Sequence, residues 1–431
     1  MIKSEKSDEK PLVGFFPLFY NLAETGRAIL VARRYIELGG KVIFFSHGGR
    51  YEYLARDLGY NVVRVDPRYT EESIKRIVSI NRRESKGLPY TEQFLREAAQ
   101  EEIIAYKKTG VKMIISFVNI PSSISARVAG IPLICVSPAS GTFYLSSPDD
   151  SENLFSRFIP QQIRITFINW CSMRSKKFLK PFNIIAREHH LKPFKSTMSV
   201  LYGDVTLATQ FLEFINVFPN QQQFPTEDYV GIILLEELFD NVFPPEQKNK
   251  IDEEIKKHLE TSGKSILLSM GSSGDKHLFL KILQTLNKNS YKVIAVYANI
   301  LKEDDIPKLN DNILLKKFVP SMSQLHRMVD LTIIHGGQGT VYTAAYAGKP
   351  IIGFPMQFEQ HLNLEKMVGH GAGLMLSKKY FKEEALLKAI NKIFDNYDFY
   401  LKNAQILAKK LPEPEGDTNA ARRIVEILQQ N

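Results

Sequence analysis

A glycine-rich stretch in the C-terminal half combines residue types that bind phosphates. Residues His335 to Thr340 follow an apolar run, Leu331 to Ile334, and precede a helical segment that extends to about Tyr346. Glycines let the backbone approach a ligand closely, and the N–H groups at the start of a helix attract anions. We predict that this turn binds a diphosphate through His335, Gly337, Gln338, Gly339 and Thr340.

A carboxylate and an amide follow the next strand. After the apolar run Ile351 to Phe354, the chain carries Glu359, Gln360 and Asn363. An acid beside an amide can both accept from and donate to vicinal hydroxyls, so Glu359 and Gln360 are candidates to bind a sugar. The alternative for the glycine-rich turn is an ordinary strand–helix connection with a buried histidine, which does not account for Glu359 and Gln360.

Together these residues resemble the donor-binding signature of the UDP-glycosyltransferase superfamily. That signature is His-x-Gly-x-Gly/Asn-Ser/Thr, then Gly-x-Pro, Pro, Asp/Glu-Gln and Asn. The resemblance implies an α/β fold of the GT-B class, in which two Rossmann-like doubly wound domains face each other across a cleft. It also implies a nucleotide sugar as co-substrate, UDP-hexose, and no bound cofactor.

Two further stretches match the same resemblance. The turn Gly271-Ser272-Ser273-Gly274 resembles the family's opening donor loop, and Phe318-Val319-Pro320 occupies the place where the family carries an aromatic that stacks on the nucleobase. For Phe318 the alternative is a core aromatic at the end of a strand. We predict that the donor site is completed by Gly271, Ser272, Phe318 and Val319.

The catalytic base departs from the family pattern. Gly39–Gly40 takes the place of the family's second Gly-His, which puts Glu24 at the histidine of the first. The family's partner aspartate would fall near Phe117 and is absent. We predict Glu24 as the base and His47, after the second strand, as another candidate; the alternative for Glu24 is a first-turn acid that favours the helix dipole.

The resemblance and the residues together define the predicted reaction. No two aspartates lie two residues apart, so the Asp-x-Asp metal-binding motif of other glycosyltransferases is missing. We therefore expect metal-independent, inverting transfer of a hexose, with a helix N-terminus stabilising the leaving diphosphate. Thr343 replaces the family's ribose-binding glutamate, so UDP is the predicted nucleotide and dTDP its rival.

Alternating strand and helix patterns occur in both halves of the chain. They predict an N-terminal acceptor-binding Rossmann-like domain over residues 1–217 and a nucleotide-sugar-binding Rossmann-like domain over residues 246–395. A proline-rich linker over 218–245, with a short strand near Tyr229 to Ile233, would join them. We expect the helices of 396–431 to cross back to the N-terminal domain.

The positive charge is concentrated in the first half. Residues 1–200 carry a net charge of +11 and residues 201–431 carry −2. The segment from Ser151 to Lys195 contains nine Lys and Arg residues but only two acidic residues. Six bulky aromatics are interleaved with them: Phe155, Phe158, Phe167, Trp170, Phe178 and Phe182. Basic residues among apolar ones favour an anionic membrane surface, and a core helix pair with solvated basic stems is the alternative.

Other functional classes have less support. The sequence lacks nucleic-acid-binding motifs, an apolar N-terminal leader and a run long enough to span a membrane, and Cys135 and Cys171 form no metal-binding pattern. We expect a cytoplasmic enzyme that glycosylates a lipid or small hydrophobic acceptor. It could also lie peripherally on the inner face of the membrane. A non-catalytic nucleotide-sugar-binding regulator and a nucleotide-sugar 2-epimerase are the alternatives.

Overall fold

The computed structural model of the chain describes most of residues 11–430. The exceptions are residues 82–83, 138–159, 161–162, 164–165, 168–169, 171–173, 218–221, 223, 237, 239–250, 261–262, 272–273 and 299. Ser272, Phe155, Phe158 and the charged N-terminal leader therefore lie outside the described residues.

A six-stranded parallel sheet forms the centre of the N-terminal domain. Its spatial order is β3-β2-β1-β4-β5-β6. The strands are β1 Leu12–Pro17, β2 Lys41–Ser46, β3 Val62–Arg64, β4 Met113–Phe117, β5 Leu133–Ser137 and β6 Val205–Ala208. The helices are α1 Leu22–Glu37, α2 Glu52–Asp57, α3 Glu71–Asn81, α4 Glu92–Thr109, α5 Ser122–Ala129, α6 Lys176–Glu188 and α7 Leu212–Ile215. Helical crossovers cover both faces of the sheet, which explains why its strands are short and almost wholly apolar.

The C-terminal domain repeats this architecture. Its parallel sheet has the order β12-β11-β10-β7-β8-β9. The strands are β7 Ser265–Ser269, β8 Lys292–Val296, β9 Ile313–Lys316, β10 Leu331–Ile334, β11 Ile351–Gly353 and β12 Gly373–Met375. The helices are α8 Glu253–Glu260, α9 Lys276–Asn287, α10 Met322–Met328, α11 Gln338–Ala347, α12 Phe358–Gly369, α13 Glu383–Asp395, α14 Tyr397–Lys410 and α15 Gly416–Gln430. The predicted GT-B fold class is thus confirmed.

Both sheets reverse their strand order beside their first strand. In the N-terminal sheet β1 lies between β2 and β4, and in the C-terminal sheet β7 lies between β10 and β8. Ligands of doubly wound folds bind outside the carboxyl ends of the strands at such switch points. The segments that follow β1, β4, β7 and β10 are therefore the ones that position a site.

Apolar and hydrogen-bonded contacts join the two domains. Phe211, the N-cap of α7, and Phe214 within α7 pack against Tyr342 of α11 in one buried cluster. The Tyr342 hydroxyl lies 3.2 Å from the backbone N–H of Phe211, and His370 Nε2 lies 3.0 Å from the carbonyl oxygen of Phe214. The predicted strand from Tyr229 to Ile233 is wrong, because Tyr229 forms only an isolated bridge with Ala208.

The last helix, α15, packs against α1 of the N-terminal domain. Ile424 and Ile427 are buried in the N-terminal core cluster, and Arg34 Nε donates to Asp417 Oδ2 over 2.8 Å. Burying an isoleucine side chain stabilises by roughly 2 kcal/mol, whereas a partly exposed ion pair contributes about 0.5 kcal/mol. Apolar packing therefore dominates the attachment of this helix.

The basic aromatic segment divides into a buried and an exposed part. Phe182 of α6 is buried in a cluster with Leu179 and Ile185. By contrast, Phe167 is 64% exposed and Trp170 53% exposed. The core-helix interpretation therefore holds for α6, and the exposed aromatics leave the surface interpretation open. In the described part of the chain, no helix combines the length and apolar character needed to span a bilayer.

Candidate active site

A cavity of about 450 Å³ lies in the cleft between the two domains. Its walls come from the segments after the four switch-point strands: Glu24 and Arg27 after β1, Asn119 after β4, Gly271 after β7, and His335 to Thr340 after β10. This volume is within the range of small-molecule sites. The topology of both sheets thus brings these chemically active segments to one place.

The imidazole of His335 lies between two glycine turns. A Cβ atom built on Gly271 would come within 2.6 Å of this ring, and one on Gly337 within 2.5 Å. Neither distance is possible for a real side chain, so only glycine at both positions lets the imidazole occupy this place. His335 is consequently held at the cavity wall by the two turns that line it.

The start of helix α11 opens towards the cavity. Gly337 is the N-cap of this helix, and Gly339 and Thr340 lie in its first turn and line the cavity. A Cβ atom at Gly339 would meet no heavy atom within 4 Å. The first-turn N–H groups have no partners within the helix, and the helix dipole adds partial positive charge there. This opening is suited to an anionic group.

Helix α12 holds the acid–amide pair beside the glycine-rich turn. Asn363 Nδ2 donates to the carbonyl oxygen of Gly336 over 3.1 Å and to Glu359 Oε1 over 3.3 Å. Gln360 Oε1 accepts from the backbone N–H of Met356 over 2.8 Å, which directs its amide nitrogen away from that bond. Glu359 and Gln360 both line the cavity. They therefore present an acceptor and a donor to one ligand.

The pKa of Glu359 is raised by burial, although the Arg27 guanidinium lowers it. The Glu24 carboxylate raises that pKa further, and the amide of Asn363 lowers it. Arg27 and Glu24 belong to α1, whereas Glu359 belongs to the other domain. Charged side chains of the two domains therefore interact across the cleft at the cavity.

Within α1, Arg27 Nη1 donates to Glu24 Oε1 over 2.8 Å, and both side chains are buried. The helix begins at an N-cap, Asn21, whose side chain accepts from the N–H of Ala23 over 2.9 Å. The second carboxylate oxygen, Oε2 of Glu24, has no hydrogen-bond partner among the described residues. Glu24 therefore has one oxygen held in place and one that can act on a ligand.

The N-terminal side of the cavity combines an aliphatic surface with polar side chains. Its aliphatic lining consists of Leu18, Leu22, Val78, Val118, Ile120, Val200 and Leu201. Apolar walls with a few placed polar groups are typical of sites for hydrophobic small molecules. Among the described residues, no group of three or more His, Cys, Asp and Glu is placed to hold a metal ion.

Comparisons with known proteins connect this site to a family. Residues 281–427 match the family described as Erythromycin biosynthesis protein CIII-like, C-terminal domain. A PGL/p-HBAD biosynthesis glycosyltransferase of Mycobacterium tuberculosis is 26% identical over 283 residues, which are 64% of this chain and 61% of that protein. The solved structure of the calicheamicin glycosyltransferase CalG4 matches 98% of this chain and 99% of its own, with 12% identity and a TM-score of 0.67. The family model, the mycobacterial relative and the solved structure together support the UDP-glycosyltransferase superfamily for this chain.

A second solved structure extends the fold comparison for this chain. The glycosyltransferase VinC in complex with DTDP matches 97% of this chain and 100% of its own, with 15% identity and a TM-score of 0.62. At such identities the two structural matches establish the GT-B fold. The match to the mycobacterial relative spans only 61% of that protein's length.

Most of the predicted donor residues line the cleft cavity. They are Gly271, His335, Gly337, Gln338, Gly339, Thr340, Glu359 and Gln360. Gln338 also connects the two domains, because its Nε2 donates to the carbonyl oxygen of Thr209 over 2.6 Å. Glu24 lines the same cavity from the N-terminal side.

Three predicted residues do not line this cavity. His47 is buried away from the cavity, with Nε2 2.8 Å from Glu102 Oε1, so it cannot reach a ligand there. The side chain of Val319 packs in the core beside α8 and does not line the cavity. Phe318 is exposed, but it is not among the residues that line the cavity.

Sequence reasoning missed Arg27, Asn119 and Ser123 at the cavity. For Arg27 a signal existed, because it lies three residues after Glu24 and side chains at that spacing share a helix face. Asn119 lies two residues beyond the position at which an aspartate was sought. Ser123 lies in the first turn of α5, a place where serine is common without any role in binding.

Proposed function

We propose that this chain is a metal-independent, inverting glycosyltransferase. It would move a hexose from a nucleotide sugar, a UDP-sugar, to a hydroxyl of a lipid or small hydrophobic acceptor. The observation that carries the proposal is one cavity with two unlike walls. A helix start suited to an anion and an acid–amide pair face a partly aliphatic wall that carries a carboxylate.

Glu24 is the proposed base. Its Oε2 would take the proton of the acceptor hydroxyl while the hydroxyl oxygen attacks the anomeric carbon of the donor sugar. The bond from that carbon to the diphosphate oxygen breaks with its electron pair leaving on the diphosphate. Because attack and departure occur on opposite sides of the carbon, the anomeric configuration inverts. A positioned general base typically contributes about 10²–10⁴-fold to the rate.

The start of α11 would stabilise the leaving diphosphate. Negative charge develops on the bridging oxygen as the bond breaks, and N–H groups already aimed at this oxygen need no reorganisation. Each such donor contributes roughly 3 kcal/mol to transition-state stabilisation. The backbone of Gly339 and Thr340 and the imidazole of His335 line the cavity at this point. These groups would supply the charge compensation that a metal supplies in other folds.

The nucleotide of the donor follows less directly from the geometry. Thr343, at the position of the family's ribose-binding glutamate, donates its hydroxyl to the carbonyl oxygen of Gly339. That hydroxyl is thus engaged within the helix instead of contacting a ribose. We retain UDP as the proposed nucleotide, and this engagement favours dTDP as the rival.

The acceptor is proposed to be hydrophobic because seven aliphatic side chains line the N-terminal wall. A peripheral position on an anionic membrane at the cytoplasmic face would bring a lipid acceptor to the cleft. The exposed rings of Phe167 and Trp170 lie 6.3 Å apart in a stacked arrangement, and the Arg174 guanidinium lies 5.4 Å from the Trp170 ring. Amphipathic rings beside basic groups are favoured at lipid interfaces.

One observation favours a second function. The Arg27–Glu24 ion pair occupies part of the carboxylate that would act as base. A chain that binds nucleotide sugar and regulates a partner, without catalysis, would tolerate such a pair. Glycosyl transfer or donor hydrolysis above background excludes this alternative.

The test is mass spectrometry of products from a donor panel of UDP-glucose, UDP-GlcNAc, UDP-galactose and dTDP-glucose with a cell lipid extract. We expect one donor to give a hexosylated lipid and free nucleoside diphosphate in equal amounts. An isomerised donor without any acceptor would show a 2-epimerase instead. Binding of a donor without any product would support the regulator.

A further inference from the structure

We propose that Asn119 and Ser123 recognise a hydrogen-bond-donating group of the acceptor, a hydroxyl distinct from the one that is glycosylated. The proposal rests on the proposed acceptor-binding role of the N-terminal wall. Both residues line the cavity beside apolar side chains, and each is only 3% exposed. They would therefore contribute to acceptor specificity beside the aliphatic part of this wall.

Two buried oxygens support this assignment. Neither Oδ1 of Asn119 nor Oγ of Ser123 has a hydrogen-bond partner in the part of the chain that the structure describes. Buried polar atoms in native proteins are almost always hydrogen-bonded, and those that are not often belong to functional sites. At a cavity wall, a ligand can supply the missing partners.

The orientation of the Asn119 amide is determined by the residues behind it. Its Nδ2 donates to Glu102 Oε1 over 2.9 Å and lies 2.7 Å from Ser122 Oγ. Because the amide nitrogen is used in this way, the oxygen is the end that remains for a ligand. An amide oxygen only accepts, so the group it recognises must donate a hydrogen.

Glu102 is the positioning residue in this arrangement. It is fully buried, and Oε1 also lies 2.8 Å from His47 Nε2. Its Oε2 accepts from Tyr106 OH over 3.1 Å and from Ser125 Oγ. With partners on both oxygens the carboxylate cannot rotate to accept from another donor, so Asn119 is held in one orientation. His47 thus belongs to the support of the acceptor wall and not to the chemistry.

The backbone at this point is itself strained. Val118 has φ of +62°, in the left-handed region that β-branched residues rarely adopt. It lies between the end of β4 and Asn119, and it also lines the cavity. Strain of this kind persists where the surrounding structure requires a particular presentation of a side chain. Here the presented side chain is Asn119.

The test compares two probe ligands by calorimetry on the full chain without donor. The ligands are 2,6-dihydroxynaphthalene and 6-methoxy-2-naphthol, which share a skeleton and one hydroxyl but differ in a second donor. We expect the wild-type protein to bind the diol at least about tenfold more tightly, because the ether leaves Asn119 Oδ1 without a donor. In Ser123→Ala and Asn119→Leu this preference should fall below about threefold.

Ser125→Ala is the matched control, since Ser125 lies on the same helix as Ser123 but does not line the cavity, and Tyr106 still donates to Glu102 Oε2 without it. It should lower the melting temperature and keep the preference for the diol. Equal affinity of the wild-type protein for the two probes, binding of neither probe, or an unchanged preference in Ser123→Ala overturns the proposal. A diol preference in a chain that transfers no sugar from any donor would refute only the proposed glycosyltransferase activity.

Discussion

Arg27 Nη1 lies 2.8 Å from Glu24 Oε1, one turn apart on the first helix of the N-terminal domain. The pair is buried at the interdomain cavity, and its charges act on Glu359 of the other domain. The guanidinium holds one carboxylate oxygen and leaves Oε2 without a partner among the described residues. Arg27 thus fixes the orientation of Glu24, in the way that an aspartate fixes the orientation of a histidine to which it is hydrogen-bonded.

Replacing Glu24 with glutamine should abolish most of the turnover. The amide cannot accept a proton from the acceptor hydroxyl, so we expect the rate of transfer to fall by about 10²–10⁴-fold. Affinity for the nucleoside diphosphate should change by less than about twofold, because the proposed diphosphate contacts lie in the other domain. Turnover is measured with saturating donor, and affinity for the nucleoside diphosphate by calorimetry.

Glu37→Gln is the control for this substitution. Glu37 is at the far end of the same helix, where it pairs with Arg34 on the surface, and its replacement should leave turnover unchanged. If Glu24→Gln keeps more than about a third of the wild-type turnover, another group must take the proton.

Replacing Gly339 with alanine should separate stability from donor binding. Its Cβ would meet no protein atom within 4 Å, and alanine favours a helix over glycine by up to about 1 kcal/mol. The unliganded protein should therefore be as stable as the wild type or slightly more stable. The methyl group would nevertheless occupy the approach to the first-turn N–H groups, so nucleoside diphosphate affinity should fall by about tenfold, or about 1.4 kcal/mol.

Gly337→Ala is the contrasting variant, because its methyl group would collide with the His335 imidazole. It should lose about 1–3 kcal/mol of stability as well as affinity, since overpacking forces neighbours to move. Thermal unfolding and calorimetry measure the two quantities on both variants. Unchanged affinity in Gly339→Ala would show that the helix start does not contact the diphosphate.

The sequence predicted the parts of the site that depend on local order. The strand Leu331–Ile334, the glycine-rich turn and the helix after it are consecutive, so their spacing alone places His335 at a helix start. Gln338 is different, because its amide bonds Thr209, a residue 129 positions earlier. No local pattern reveals such a pairing.

His47 shows why the acceptor side could not be predicted. It follows a strand that points towards the cleft, so its position in the sequence suits a catalytic role. Its partner Glu102 is 55 residues away, on a helix whose polar sequence gives no sign of a fully buried acid. Tertiary packing therefore decides whether this histidine faces a ligand or a carboxylate.

Replacing Glu359 with glutamine should stabilise the unliganded protein at neutral pH. The pKa of Glu359 is raised in the folded state from its ordinary value of 4.5, chiefly by burial. A carboxyl of this kind binds its proton more tightly when folded, so stability falls as the pH rises from 4.5 through the folded pKa. Above that range the penalty is complete, and below it the penalty disappears.

The melting temperature of Glu359→Gln should therefore exceed that of the wild type at pH 7, and the difference should shrink as the pH is lowered towards 4. Glu384→Gln, at an exposed position on α13, should show no such trend. A difference that is constant with pH would mean that ionisation of Glu359 does not affect stability. The variant should also bind the nucleotide sugar less tightly than the wild type does. Its affinity for the free nucleoside diphosphate should equal that of the wild type.

Replacing Phe167 and Trp170 together with serine should weaken attachment to anionic lipid. Both rings are more than half exposed, at 64% and 53%, and each ring buried in a lipid interface contributes roughly 2 kcal/mol. We expect co-sedimentation with vesicles containing phosphatidylserine to fall at least about tenfold, and binding to purely zwitterionic vesicles to be weak for both proteins. The control is Phe399→Ser, an aromatic 60% exposed on the C-terminal domain, which should sediment like the wild type. Equal sedimentation of the double variant and the control would place the membrane contact elsewhere or remove it altogether.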